Sequence, residues 1–126
     1  MTTNAAAQEL IDQLVSAYNA HSTEILSELY QPDVSYWSVL SGTSHGRQAV
    51  IESIERLHVE LPDEQMRVKT VIADDDVIVA EFQSTGTDSD GRPYVLDFTE
   101  VFQVVDGKVA SIKVYIDPDE VAAISR

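Results

Sequence analysis

Three runs in the second half of the chain, Val77 to Gln83, Tyr94 to Val105 and Val109 to Ile116, are rich in β-branched and aromatic residues and bounded by turn residues. That is the pattern of pleated strands. The last two meet across Asp106-Gly107, a dipeptide suited to a type I′ hairpin because both central positions need positive φ. A two-residue turn also sets which residues share a face. In the middle run Tyr94, Leu96, Phe98, Glu100 and Phe102 point one way, since side chains alternate along a strand. One carboxylate therefore sits on a face that is otherwise apolar, and it is the sharpest chemical clue in the sequence.

Two helical segments precede these strands. Leu10, Ile11, Leu14, Val15 and Tyr18 recur at helical spacing, with Gln8, Glu9, Asp12, Gln13 and Ser16 on the other side. Thr3 and Asn4 are both competent to cap that helix. Ser22 is placed to cap a second, short helix carrying Ile25, Leu26, Leu29 and Tyr30, which Pro32 stops. Val34 to Leu40 reads as the first strand and Ser41-Gly42-Thr43-Ser44 as the loop that ends it. Gly46 opens a third helix with Val50, Ile51, Ile54 and Leu57 on its apolar side, and Pro62 marks its end. Met66 to Ala73 and Val77 to Ser84 form a hairpin over Asp74-Asp75-Asp76. Asp88-Ser89-Asp90-Gly91 makes the next turn, and Asp117-Pro118 closes the last strand before a short C-terminal helix. The expected order is ααβαββββα. Residues 1–126 read as a single α+β domain with the helices on one face of a largely antiparallel sheet. Long twisted strands curling around the first helix leave a cone whose mouth holds a small molecule.

Composition removes several classes of function. Eight basic residues against 22 acidic ones give a net charge of −14, which repels phosphate backbones and anionic headgroups, so neither nucleic acid nor membrane is expected as a partner. There is no Cys, hence no thiolate nucleophile, disulfide or zinc-thiolate site. His21, His45 and His58 lack ligand spacing, so no metal is expected, and without a glycine-rich phosphate loop no nucleotide or redox cofactor is expected either. No leader or spanning segment is apparent. Cytoplasmic localisation is the expectation.

The element order, His45-Gly46-Arg47-Gln48-Ala49-Val50 at the third helix, and Gly107-Lys108-Val109 followed by Tyr115-Ile116-Asp117 in the last strand resemble the nuclear transport factor 2-like superfamily, in particular its SnoaL-like branch. The resemblance covers nearly the whole chain. It implies a conical α+β fold, usually dimeric through the outer sheet face, hosting ketosteroid isomerases, epoxide hydrolases, polyketide cyclases, dehydratases and non-enzymatic binding or assembly domains. Fold alone therefore does not decide function. On the resemblance, the proton-abstracting Asp of the isomerases falls on Ser38 and their oxyanion-holding tyrosine near Leu14. The acid partner of that tyrosine falls on Glu100. Of the hydrolase set, a water-holding tyrosine corresponds to Tyr36, whereas the last-strand Asp falls on Val114. Cyclases of this branch position a polyketide and move protons with one carboxylate.

Glu100 is the first candidate for that carboxylate, because apolar neighbours disfavour its ionised form and bring it toward a protonation range useful near neutrality. Asp117 is the second; it is equally placed to cap the helix that begins at Pro118. Alternation and helix position give the expected pocket lining as Leu14, Tyr18, Tyr36, Ser38, His45, Phe82, Leu96, Phe98, Phe102, Ile112, Val114 and Ile116. Arg47, in the first turn of its helix, faces either a carboxylate ligand or a surface acid. Trp37 has the opposite parity to Tyr36 and Ser38 and points outward, toward a homodimer interface. An apolar cone with few polar handles suits a small hydrophobic ring or polyketide-like ligand. Isomerase, cyclase or hydratase chemistry is the leading expectation, and a non-catalytic binding or assembly module is the alternative.

Overall fold

The first amphipathic segment folds as α1 (Asn4–Asn19) in the computed structural model, which describes residues 3–126. Thr3 is its cap, with Oγ1 accepting from the Ala6 N–H at 3.1 Å, which satisfies one of the free amides of the first turn. The helix buries Ala7, Leu10, Ile11, Leu14 and Ala17. Its C-terminal end is pinned by Asn19, whose side-chain amide donates to the Met66 carbonyl at 2.7 Å and accepts from the Met66 N–H at 2.8 Å. After α2 (Thr23–Leu29) come β1 (Tyr30–Ser38), β2 (Gly42–His45), α3 (Arg47–Glu60), β3 (Gln65–Asp74), β4 (Val77–Thr87), β5 (Pro93–Val105), β6 (Lys108–Tyr115) and α4 (Pro118–Ala122). The six strands form one curved sheet in the order β2-β1-β6-β5-β4-β3, with β1 parallel to β6 and every other neighbour antiparallel.

The β5–β6 hairpin turns as expected, with φ of +52° at Asp106 and +77° at Gly107, the signature of the type I′ geometry. Inner-face residues Ile78, Ala80, Phe82, Phe102, Val104, Ile112 and Val114 are buried against α1, Leu26 and Val50. The solvent side carries Glu81, Val95, Asp97, Lys113 and Tyr115, so the pleat separates core from surface. Among the described residues no helix is long and apolar enough to cross a membrane.

Two elements depart from the sequence reading. The second helix ends at Leu29, and Tyr30 to Pro32 already belong to β1. The ladder with β6 is irregular between Tyr30 and Ser35, and the strand tolerates Pro32 there because a proline without an N–H fits an interrupted ladder. The second departure is β2, expected as a loop. Gly42 to His45 pairs with Ser35 to Ser38 as a short edge strand, and a polar four-residue edge leaves no hydrophobic alternation to be read. The observed order is therefore ααββαββββα.

Candidate functional site

The sheet, α1, α2, α3 and the C-terminal segment enclose a cavity of about 230 Å³. Its wall is largely aliphatic and aromatic, with Leu14, Phe82, Leu96, Phe98, Phe102, Ile112, Val114 and Ile116 all contributing. An engineered apolar cavity of about 150 Å³ accommodates benzene. Polar groups reach this wall at a few positions, principally Tyr18, Tyr30, Tyr36, Ser38, Ser53, Glu64, Ser84, Glu100 and Arg126.

Glu100 lies on the inner face of β5 between Ala80 of β4 and Val114 of β6, both buried. Among the described residues its carboxyl has neither a hydrogen-bond donor nor a cation against it. The surface it retains is turned to the cavity. Loss of water around the charged form therefore dominates, and burial pushes its pKa up to about 8. Tyr30 and Tyr36 line the same cavity, within the electrostatic reach of this group. Both phenols are held in the neutral form, first by burial and then by the field of Glu100, and neither hydroxyl has a hydrogen-bond partner among the described residues. The Glu100 end of the cavity thus presents a neutral acid and two phenolic O–H groups with their hydrogen-bonding capacity unspent.

The other polar end is built around Glu64, which follows Pro62-Asp63 and is only 6% exposed. The Tyr18 hydroxyl donates to its Oε1, and the Ser84 hydroxyl donates to Oε2 at 2.5 Å. Burial and the adjacent carboxylate raise the Tyr18 pKa and keep the phenol protonated. Behind Tyr18 stands His58, edge-on to the phenol ring with centroids 4.7 Å apart and stacked on His21 at 3.9 Å. Burial, then the neighbouring imidazole, lowers the His58 pKa. The buried Tyr94 hydroxyl lies over Gly86, where a Cβ would come within 2.6 Å of it, so only glycine fits that register partner.

Eleven of the twelve residues expected to line the pocket do so, together with Glu100. His45 does not. It pairs with Ser35 in the β1–β2 hairpin, and directly opposed residues share a face, so the parity that sends Tyr36 and Ser38 inward sends His45 outward into solvent. Asp117 is also outside the cavity. Its Oδ1 accepts from the Asp119 N–H at 2.9 Å as the cap of α4, the role that an acid before an N-terminal proline performs well. Ser38 faces the cavity, but its Oγ accepts from the Leu40 N–H at 3.1 Å. Among the described residues Arg47 pairs with no acid. Its guanidinium donates to the Ser27 and Tyr30 carbonyls at 3.1 and 3.2 Å, closing the end of α2. Trp37 points outward and packs on Tyr115 at 5.3 Å between centroids.

Tyr30 and Glu64 escape the sequence reading. Tyr30 was hidden by its assignment to a helix. For Glu64 a signal existed: Ser84 falls on the buried face of β4, and a buried hydroxyl implies a polar partner opposite it.

Residues 11–112 match the model of the SnoaL-like domain. The chain belongs to the SnoaL-like family. Against curated proteins it has no match. Solved structures share its fold at low identity. A nuclear transport factor 2-like protein of unknown function from Burkholderia pseudomallei superposes with a TM-score of 0.86 at 19% identity, covering 94% of this chain and 96% of the other. A candidate polyketide cyclase from Xanthomonas campestris pv. campestris gives 0.86 at 23% identity, with 95% and 96% covered. A hypothetical protein with a ketosteroid isomerase-like fold from Catenulispora acidiphila, in complex with trimethylamine, gives 0.84 at 16% identity over 99% and 94%. At such identities the likeness concerns fold alone, and function rests on the SnoaL-like site itself.

Proposed function

We propose that this SnoaL-like chain binds a small hydrophobic ring or polyketide-like compound in the cavity and catalyses proton transfer on it, in an isomerase, cyclase or hydratase reaction. Glu100 carries the reading. Burial pushes the Glu100 pKa up to about 8, so its ionised fraction takes the proton from the carbon beside the ligand's carbonyl and, once protonated, returns it to another atom of the ligand, the balance that general acid–base catalysis needs. Tyr30 and Tyr36 add neutral donors in the same cavity, so an oxygen that gains negative charge during enolisation meets preorganised O–H groups in a water-poor wall. In each case the residues move protons: isomerisation shifts a double bond, cyclisation joins two carbons of the ligand itself, and hydration takes up a water from solvent.

A second reading, binding without turnover, is favoured by Ser38, whose hydroxyl is engaged with backbone and which supplies no carboxylate base on β1. A thermal-shift screen of hydrophobic ring compounds on the parent and on Glu100→Gln separates the two. Stabilisation of both proteins with turnover by the parent alone supports catalysis. Stabilisation of both with turnover by neither supports the binder, and stabilisation of neither sinks both readings.

We assign the outer sheet face to homodimer formation. Support comes from the aromatic pair Trp37 and Tyr115 on that face and, separately, from Val95, which is 61% exposed on the same side, apolar surface that association would cover. Light scattering on Tyr115→Asp should report a monomer, and a dimer unchanged by that substitution would reject the assignment.

A further inference from the structure

Glu64 is a second carboxylate in the same cavity, and the proton chemistry assigned to Glu100 does not use it. Ser84, which holds it, and Ala80, which adjoins Glu100, are four residues apart on the inner face of β4. At strand rise this is about 13 Å. Tyr18, which donates to Glu64, and Tyr36 line the same cavity as both carboxylates. The ends differ in hydrogen-bonding character. The Glu100 end offers O–H donors. At Glu64 both oxygens already accept from hydroxyls, and a carboxylate has about four acceptor positions, so its spare capacity is for acceptance only. Since two hydroxyls already satisfy it within the fold, Glu64 does not need a cation, and a neutral hydroxyl on the ligand completes its shell. Between the poles the wall is apolar and the volume, about 230 Å³, is roughly one and a half times the space that takes one benzene ring.

We infer that Glu64, held by Tyr18 and Ser84, is a specificity-determining pole that recognises a hydroxyl on the ligand at the end remote from its carbonyl, which makes the ligand a one- or two-ring hydroxyketone. The inference rests on the proposed function, because the Glu100 end must take the carbonyl. It assigns selection to Glu64 and leaves the proton step with Glu100.

The test uses three neutral bicyclic probes and calorimetric or NMR titration: 1-tetralone, 6-hydroxy-1-tetralone with its hydroxyl at the far end, and the isomer 8-hydroxy-1-tetralone with its hydroxyl beside the carbonyl. The parent should bind the 6-hydroxy ketone at least about tenfold more tightly than the other two, the gain expected of a hydrogen bond to a charged acceptor. In Glu64→Gln that preference should disappear. Equal affinity of the parent for the two hydroxy isomers, or a preference that survives in Glu64→Gln, overturns the role of Glu64 while leaving ring binding intact. Failure of all three ketones to bind removes the reading on which it rests. Should Glu64→Gln not fold, Ser84→Ala, which removes one of the hydroxyls that position Glu64, replaces it: the preference for the 6-hydroxy ketone over 1-tetralone should fall, and an unchanged preference overturns the role.

Discussion

The cavity holds two glutamates that the fold treats in opposite ways. Glu64 accepts two hydrogen bonds from hydroxyls, whereas Glu100 sits between Ala80 and Val114 with no donor against it among the described residues. Burial is common to both, so burial alone does not tell a reactive carboxyl from an anchoring one. Whether donors within the fold already face it does. A satisfied group fixes geometry and holds neighbouring side chains in place. An unsatisfied one shifts its protonation equilibrium and remains available to a ligand.

The contrast can be broken most severely through turnover. Glu100→Gln removes the transferable proton while keeping shape, and should lower kcat by about 10²–10⁴-fold with ligand affinity little changed. Steady-state kinetics on the ligand found by screening would check this, and a variant of parental rate would deny Glu100 its role. The next effect is on stability. The folded-state pKa of Glu100, about 8, lies above its ordinary value of 4.5, so its contribution is fully present below pH 4.5 and is lost as pH rises through 8. Glu100→Gln should therefore match the parent near pH 4 and exceed it by about 2–3 kcal/mol at pH 7 in urea unfolding, after allowance for hydration through the cavity. Glu64→Gln should act in the reverse direction. It leaves one of two buried hydroxyls without a carboxylate acceptor and should cost about 1–3 kcal/mol across that pH range, and a neutral or stabilising result would merge the two glutamates into one class. Smallest is Asp117→Ala, which removes the cap of α4 and should cost about 1 kcal/mol while leaving turnover at the parental level. Lost turnover without lost stability would return Asp117 to the site.

The Glu100 half of this contrast is legible in the sequence and the Glu64 half is not. The inward direction of Glu100, Phe98 and Phe102 follows from strand alternation, a property of consecutive residues. The type I′ turn follows from Asp106-Gly107 for the same local reason. Glu64 could not be read that way. Its neighbours Pro62, Asp63 and Gln65 are exposed and form no periodic pattern, and its burial is made by Tyr18, 46 positions earlier, and Ser84, 20 positions later. Likewise β2 has no apolar residue to mark it and exists because β1 offers it an edge. His45 illustrates a related failure. With β2 taken for a loop, no pleat constrained its direction, and the hairpin register turns it away from the cavity.

The proton affinity of Glu100 is the quantity on which the account turns. Carbon-13 labelling of the glutamate side chains and NMR titration from pH 4 to 10, with Glu100→Gln to assign the resonance, would read it directly. A midpoint near 8 is the expected result. A midpoint near the ordinary value of 4.5 would mean that water or an ionic partner satisfies the carboxylate, and the cavity would lose its acid.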